Sequence, residues 1–146
     1  MTQQLVSDPA SGLFSEAMLT AVLPSRVATA RRTLRQLGLV LVKVDGPDPD
    51  KVAALVMAAI RDSDMAARLD DGTVALILEF TPSDGCLIVV DRLRARVVRE
   101  HPDADVRAGI ACYPAHAISA DELVDVARQA LQRAAEGAVA VAPVPD

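Results

Sequence analysis

The 146 residues carry a formal net charge of −5, with 51% hydrophobic and 24% charged residues and only Phe14, Phe80 and Tyr113 as aromatic rings. A chain of this length buries a core without disulfide or metal staples, and its hydrophobic share excludes a disordered chain. So few rings argue against a single-stranded nucleic-acid platform, which stacks bases on aromatic side chains, and the acidic balance removes most of the drive for non-specific DNA binding.

Residues 1–12 are polar, contain Pro9 and Gly12, and read as a lead-in to a core over about 13–142 of a single domain, 1–146. Ser15 is a candidate N-cap for the first helix. Pro24 is expected to start a new helical segment or kink the old one. Val27, Leu34 and Leu37 carry the second segment, with Arg26, Arg31, Arg32 and Arg35 between them and Gly38 as its stop. The run 39–44, LVLVKV, reads as a buried strand. DGPDPD at 45–50 is a turn, and Val52, Leu55, Val56, Ala59 and Ile60 follow at helical spacing to about Arg61.

Asp71-Gly72 between apolar runs is a hairpin signal, with strands at about 66–69 and 73–80. Pro82 opens a helix whose inner face is Leu87, Val90, Leu93 and Val97 and whose other face carries Arg92, Arg96 and Arg99. A strand follows at about 105–112. Ser119 and Glu122 form a capping box for a helix to about 135, Gly137 ends it, and AVAVAPV supplies a last short strand. Helices alternate with strands, but one strand pair is a hairpin. The fold class is therefore α+β, a mixed, largely antiparallel sheet flanked by helices.

Cys86 and Cys112 are too few for a disulfide framework or a four-cysteine zinc site and read as small core residues. His101 and His116 sit beside prolines without metal-site spacing and read as surface residues. No metal or cofactor is expected. No apolar stretch approaches the ~20 residues of a membrane span, and the N-terminus reads without a secretion leader, so the expected compartment is the cytoplasm.

The order of elements and the strings on them resemble the GGDEF (diguanylate cyclase) domain of bacterial signalling proteins. DPASGL at 8–13 resembles that family's D-x-L-T-G-L entry, and LVLVKVD at 39–45 its first strand. AAIRDSDMAARLDDGTVALIL resembles R-x-x-D-x-x-x-R-x-GGDEF, RAGIACYP at 107–114 its S-x-GIA-x-YP strand, and DELVDVARQALQRAAEG its last helix. The resemblance implies a nucleotidyl-cyclase-like, ferredoxin-like core over nearly the whole chain.

The departures fall on the catalytic half-site. Family members hold two divalent metals on carboxylates to activate a 3′-hydroxyl and neutralise a triphosphate. Here Lys43 stands at the first metal-binding Asp of the strand motif, and Asp45 is a carboxylate without partners. The GGDEF turn is matched by Asp70, Asp71, Gly72, Thr73 and Val74. Two acids replace the glycines that let backbone approach phosphate, and Gly72 and Thr73 replace the acids. The guanine-reading segment is shortened to GPDPD, and Ala135 stands where the family has a phosphate-binding Lys. Cyclase activity is therefore not expected.

Arg61 and Asp64 match the R-x-x-D of the family's inhibitory site, six residues before Asp70, and Arg92 falls at its secondary Arg. The resemblance implies that these three bind cyclic di-GMP, with Arg68 as a possible neighbour. An Arg fork suits O6 and N7 of guanine, and a carboxylate accepts from its N1–H and N2–H. A spacing of three brings Arg61 and Asp64 together if the helix continues through them. The plainer reading of the pair is a helix-end ion pair of little energetic weight.

Three functions are weighed. The first is a non-catalytic cyclic di-GMP receptor, acting as a homodimer or on a partner signalling protein. The second is a ligand-free interaction or dimerisation module, with the Arg-rich helix 25–37 as contact face. The third is residual nucleotide turnover in the altered half-site. Met1 lies close to the first motif, as in an independent small protein, whereas family members are usually fused to sensory or output domains.

Overall fold

The computed structural model describes residues 6–135 and 137–145; the first five residues of the expected lead-in lie outside them. The elements run β1 (Phe14–Ser15), α1 (Glu16–Thr33), β2 (Leu37–Asp45), α2 (Pro49–Ala59), β3 (Met65–Arg68), β4 (Val74–Glu79), α3 (Ser83–Glu100), β5 (Asp105–Tyr113), α4 (Ala120–Arg133) and β6 (Val139–Val141). One six-stranded sheet has the order β1-β3-β4-β2-β5-β6. The pairs β3–β4, β2–β4 and β2–β5 are antiparallel, and only the edge pairs β1–β3 and β5–β6 are parallel. The segment β2–α2–β3–β4–α3–β5, with β3-β4-β2-β5 side by side, is the ferredoxin-like core that the sequence implied.

Alternation along the central strands makes two cores. Val40, Val42, Leu76, Leu78, Ile110 and Cys112 face one way and pack under α2 and α3, against Val52, Val56, Val90 and Leu93. Leu37, Leu39, Leu41, Ala75, Ile77 and Ala111 face the other way, under Leu19, Leu23 and Val27 of α1 and Leu123 and Ala127 of α4. With both faces covered, the strands read as unbroken apolar runs rather than as an alternation. A Cβ at Gly109 would collide with the backbone of Ala127 and Leu131, so that glycine lets α4 lie directly on β5.

Helix ends follow local chemistry. Ser15 Oγ accepts from Met18 N (3.2 Å), and Ser119 Oγ accepts from Glu122 N (3.2 Å) while donating to Glu122 Oε1 (3.3 Å). Each such cap is worth about 1 kcal/mol.

Three local expectations are corrected. Pro24 neither ends nor divides a helix: α1 runs from Glu16 to Thr33 through it. Pro24 and Thr20, whose carbonyl loses its i+4 donor, are both on the exposed side, while Leu23 and Val27 keep the inner seam packed. Gly38 is not the helix stop. Leu34 ends α1 in the left-handed region (φ 55, ψ 42), and Gly38 lies inside β2, opposite Cys112. His116 is not a surface residue: it is buried, and its Nδ1 accepts from Cys112 N at 2.8 Å. Cys86 and Cys112 are buried core residues, as their sequence context suggests.

Candidate functional site

Helix α2 stops at Ala59, and Ile60 is extended (φ −111, ψ 165), so the helix does not continue through Arg61 and Asp64. A turn brings them together instead. Asp64 N donates to Arg61 O (3.0 Å), and Asp64 Oδ2 accepts from Arg61 N (2.9 Å) and Nε (3.3 Å). Asp64 Oδ1 accepts from Arg61 Nη2 (3.3 Å) and from Glu79 N at the end of β4 (3.0 Å). The Asp64 side chain is 1% exposed and that of Arg61 is 61% exposed. The carboxylate is thus an internal fastener, and Arg61 is its exposed partner.

Arg61 is held on more than one side. Its Nη2 also donates to Glu79 O (2.7 Å) and Thr81 Oγ1 (2.8 Å), and Thr81 Oγ1 donates in turn to Glu79 O (2.7 Å). Its Nη1 has no partner among the described residues. Arg26, from α1, donates to Ser63 O (3.2 Å) and pairs with Glu79 Oε1 (3.1 Å), so the same loop is tied from the other face of the sheet. On α3, Arg92 is exposed, and its Nη1 donates to Ala59 O (3.4 Å), the last carbonyl of α2. Arg92 thus donates at the C-terminal end of α2, where the helix dipole places partial negative charge, two residues before Arg61 in the chain.

Arg68 is not part of this group. It stands at the opposite end of β3, pairing with Asp8 Oδ1 at 3.5 Å. Asp8 also accepts from Ser11 N (2.9 Å) and Ser11 Oγ (2.6 Å), which folds the DPASGL segment into a turn.

The turn between β3 and β4 has its own fasteners. Leu69 N donates to Thr73 O (2.8 Å), Gly72 takes φ +89, and Asp70 N donates to Glu16 Oε1 (3.0 Å). Thr73 is buried, and Val74 starts β4, paired with Val42 and Arg68. Asp71 Oδ1 accepts from Thr73 N (3.0 Å), and Asp71 Oδ2 pairs with Arg128 of α4 (3.2 Å). Partial burial pushes the Asp71 carboxyl up, but the bonds from Thr73 and the Arg128 guanidinium outweigh it and hold the group below its ordinary value.

Lys43, Asp71, Thr73, Arg107 and Arg128 line a cleft of about 280 Å³ at this turn, and Lys43 stands opposite Arg107 across β2 and β5. Asp71 thus has cations for neighbours. Among the described residues, no three His, Cys, Asp or Glu side chains are grouped to hold a metal ion. The donor set here does not fit the two divalent metals on which the family's cyclisation depends.

Glu79, Thr81, Arg26 and Arg128 are the participants that sequence reasoning missed. None belongs to a local motif with its partner. The β3–β4 pairing, in register from Met65↔Ile77 at the start of β3, is what brings Glu79, and Thr81 just beyond it, to the loop.

Residues 50–138 match the family model described as diguanylate cyclase, GGDEF domain. No curated protein sequence matches the chain. The chain is similar to the crystal structure of the GGDEF domain of YfiN (TpbB) from Pseudomonas aeruginosa, with a TM-score of 0.82 at 21% identity, over 91% of this chain and 98% of that one. It is similar to the coiled coil and GGDEF domain of DgcB from Caulobacter crescentus in complex with c-di-GMP, with a TM-score of 0.83 at 15% identity, over 97% and 87% of the two chains. A microbial GGDEF domain described in a novel interaction mode with cyclic di-GMP gives a TM-score of 0.81 at 20% identity, over 94% and 99%. Among the described residues, no helix is long and apolar enough to cross a membrane.

Proposed function

The chain belongs to the GGDEF domain family, and on that premise we propose that it is a non-catalytic receptor for cyclic di-GMP, with Arg61 and Arg92 as the groups that meet the ligand. The observation that carries this is the state of Arg61. Its guanidinium is held by Asp64, Glu79 and Thr81 through Nε and Nη2, yet the side chain is 61% exposed and Nη1 has no partner among the described residues. A cation oriented before binding loses less side-chain freedom when it binds. Arginine forks suit guanine edges and phosphates alike.

Asp64 has a different part from the one expected of it. With both oxygens engaged by Arg61 and Glu79, it positions Arg61 rather than accepting from guanine. Good bidentate contacts contribute roughly 1–3 kcal/mol each, and micromolar affinity needs about −8 kcal/mol. Two arginines with base stacking reach that range most readily when the ligand bridges two chains. The non-catalytic reading is supported by Lys43 of β2, where the resemblance implies a metal-binding Asp, and by Asp71 of the turn, paired with Arg128.

Calorimetric titration with cyclic di-GMP tests this. We expect binding at micromolar ligand that is lost in Arg61→Ala and weakened in Arg92→Ala. No heat at tens of micromolar ligand ends the proposal.

The interaction-module reading has one observation in its favour. Leu34 is 93% exposed and Phe80 44% exposed, and Arg35 lies over the Phe80 ring at 4.8 Å. Self-association that survives Arg61→Ala and is lost in Leu34→Asp would support it.

A further inference from the structure

Cys86 of α3 and Cys112 of β5 are both buried, with their sulfurs 3.9 Å apart. Glycine creates this closeness. Gly38 stands opposite Cys112 in the β2–β5 register, and a Cβ there would collide with Cys86 Sγ. The missing side chain is the space that the Cys86 sulfur fills, and it lets the first turn of α3 settle onto the sheet. Thr81 O lies 3.9 Å from one sulfur and 4.0 Å from the other, and Ser83 Oγ donates to Cys112 Sγ at 3.5 Å. A disulfide has its sulfurs about 2.05 Å apart, so the two atoms need to close by roughly 2 Å.

We infer that Cys86 and Cys112 are a modification site, at which a peroxide oxidises the two thiols to one intramolecular disulfide joining α3 to β5. The Cys112 thiolate attacks the peroxide: an S–O bond forms, the O–O bond breaks, and hydroxide leaves to become water. The Cys86 sulfur then attacks the Cys112 sulfenic acid. The S–S bond forms, the S–O bond breaks, and the hydroxide departs with the Cys86 proton as a second water. Two thiols lose two electrons and two protons, and one hydrogen peroxide becomes two waters.

The roles of the two sulfurs follow from their surroundings. The contact with Cys86 and the bond from Ser83 Oγ hold the Cys112 thiol below its ordinary value against burial. The contact with Cys112, together with burial, pushes Cys86 up. Cys112 is therefore the first nucleophile and Cys86 the resolving group.

Buried thiols react only when a path opens, and the first turn of α3 provides one. Its N-cap residue is Pro82, which offers no side-chain hydrogen bond to the first-turn amides. Gly85 adds backbone freedom within that turn. Opening this uncapped turn uncovers both sulfurs to a peroxide scarcely larger than water. Oxidation here requires no cyclic di-GMP, although both sulfurs lie within 4.0 Å of the carbonyl of Thr81, whose hydroxyl accepts from Arg61.

Intact-mass spectrometry tests the inference. Reduced protein is treated with excess hydrogen peroxide, unfolded, and alkylated with iodoacetamide. We expect a monomer lighter by two hydrogens that takes up no alkyl group, reverts with dithiothreitol, and melts at a higher temperature than the reduced form. In Cys86→Ser, we expect Cys112 to stop as a sulfenic acid that dimedone traps. Two alkylated cysteines after peroxide treatment, added oxygens without the loss of two hydrogens, or disulfides only between molecules would each overturn the inference; the wild-type measurement decides even if the variant does not fold.

Discussion

Asp64 and Glu79 are joined across fifteen residues by a hydrogen bond from the Glu79 amide to Asp64 Oδ1 at 3.0 Å. That bond ties the loop after α2 to the end of β4. Through the other Asp64 bonds, it also fixes the guanidinium of Arg61. On the proposed reading, stability and ligand recognition meet in one carboxylate, and they separate by mutation. Asp64→Ala leaves the Glu79 amide unpaired and frees Arg61, and hydrogen bonds to a charged group are each worth about 1.5–3 kcal/mol. We expect urea denaturation to show Asp64→Ala less stable by about 2–3 kcal/mol. Arg61→Ala keeps the two backbone amides on the buried Asp64 carboxylate and removes its exposed side-chain partner, so it is expected to cost less than Asp64→Ala. Equal losses for the two variants would contradict this division of roles.

Leu34 ends α1 with φ 55 and ψ 42 while its side chain is 93% exposed. A left-handed conformation costs a Cβ-bearing residue about 1–2 kcal/mol, and this side chain gains little from burial in return. Leu34→Gly is therefore expected to raise stability by about 0.5–1 kcal/mol, after the greater freedom of glycine in the unfolded chain is subtracted. Thermal denaturation checks it, and a lower melting temperature would show that Leu34 makes a compensating contact.

His116 is buried in its neutral form, and burial holds its pKa below the ordinary 6.5. Its Nδ1 must also stay unprotonated to accept from Cys112 N. The unfolded chain binds a proton near 6.5, whereas the folded chain binds it only at lower pH, so this contribution to stability is full above about 6.5 and is lost as pH falls below that value. Denaturation midpoints measured from pH 8 to pH 5 should fall in wild type. In His116→Asn, which keeps an acceptor without the titration, this part of the slope should vanish.

Much of the fold was legible because its signals are local. Asp71-Gly72 between apolar runs marked the hairpin, Ser119 with Glu122 marked the start of α4, and LVLVKV marked the central strand. Pro24 misled because the seam through Leu23 and Val27 carries α1 past a missing hydrogen bond on the exposed side. His116 misled because the neighbouring proline suggests a surface turn, whereas its burial depends on the distant elements packed over it. Arg61 and Asp64 were legible as a pair, but through a helix that in fact ends at Ala59. Their partners Glu79, Thr81 and Arg26 were not legible, since only the strand register and the packing of α1 bring them to the loop.

The altered turn leads to an expectation about chemistry. With Lys43 where the family resemblance implies a metal-binding Asp, and Asp71 engaged by Thr73 and Arg128, incubation with GTP and magnesium should yield no cyclic di-GMP by chromatography. Appearance of that product would overturn the non-catalytic assignment while leaving the family membership intact.

The most direct measurement is an amide-resolved NMR titration of the full chain with cyclic di-GMP. We expect the largest shift changes in residues 59–64, at Glu79 and Thr81, and around Arg92, with the turn 70–74 little affected. Changes confined to 70–74, or none at saturating ligand, would contradict recognition through Arg61 and Arg92.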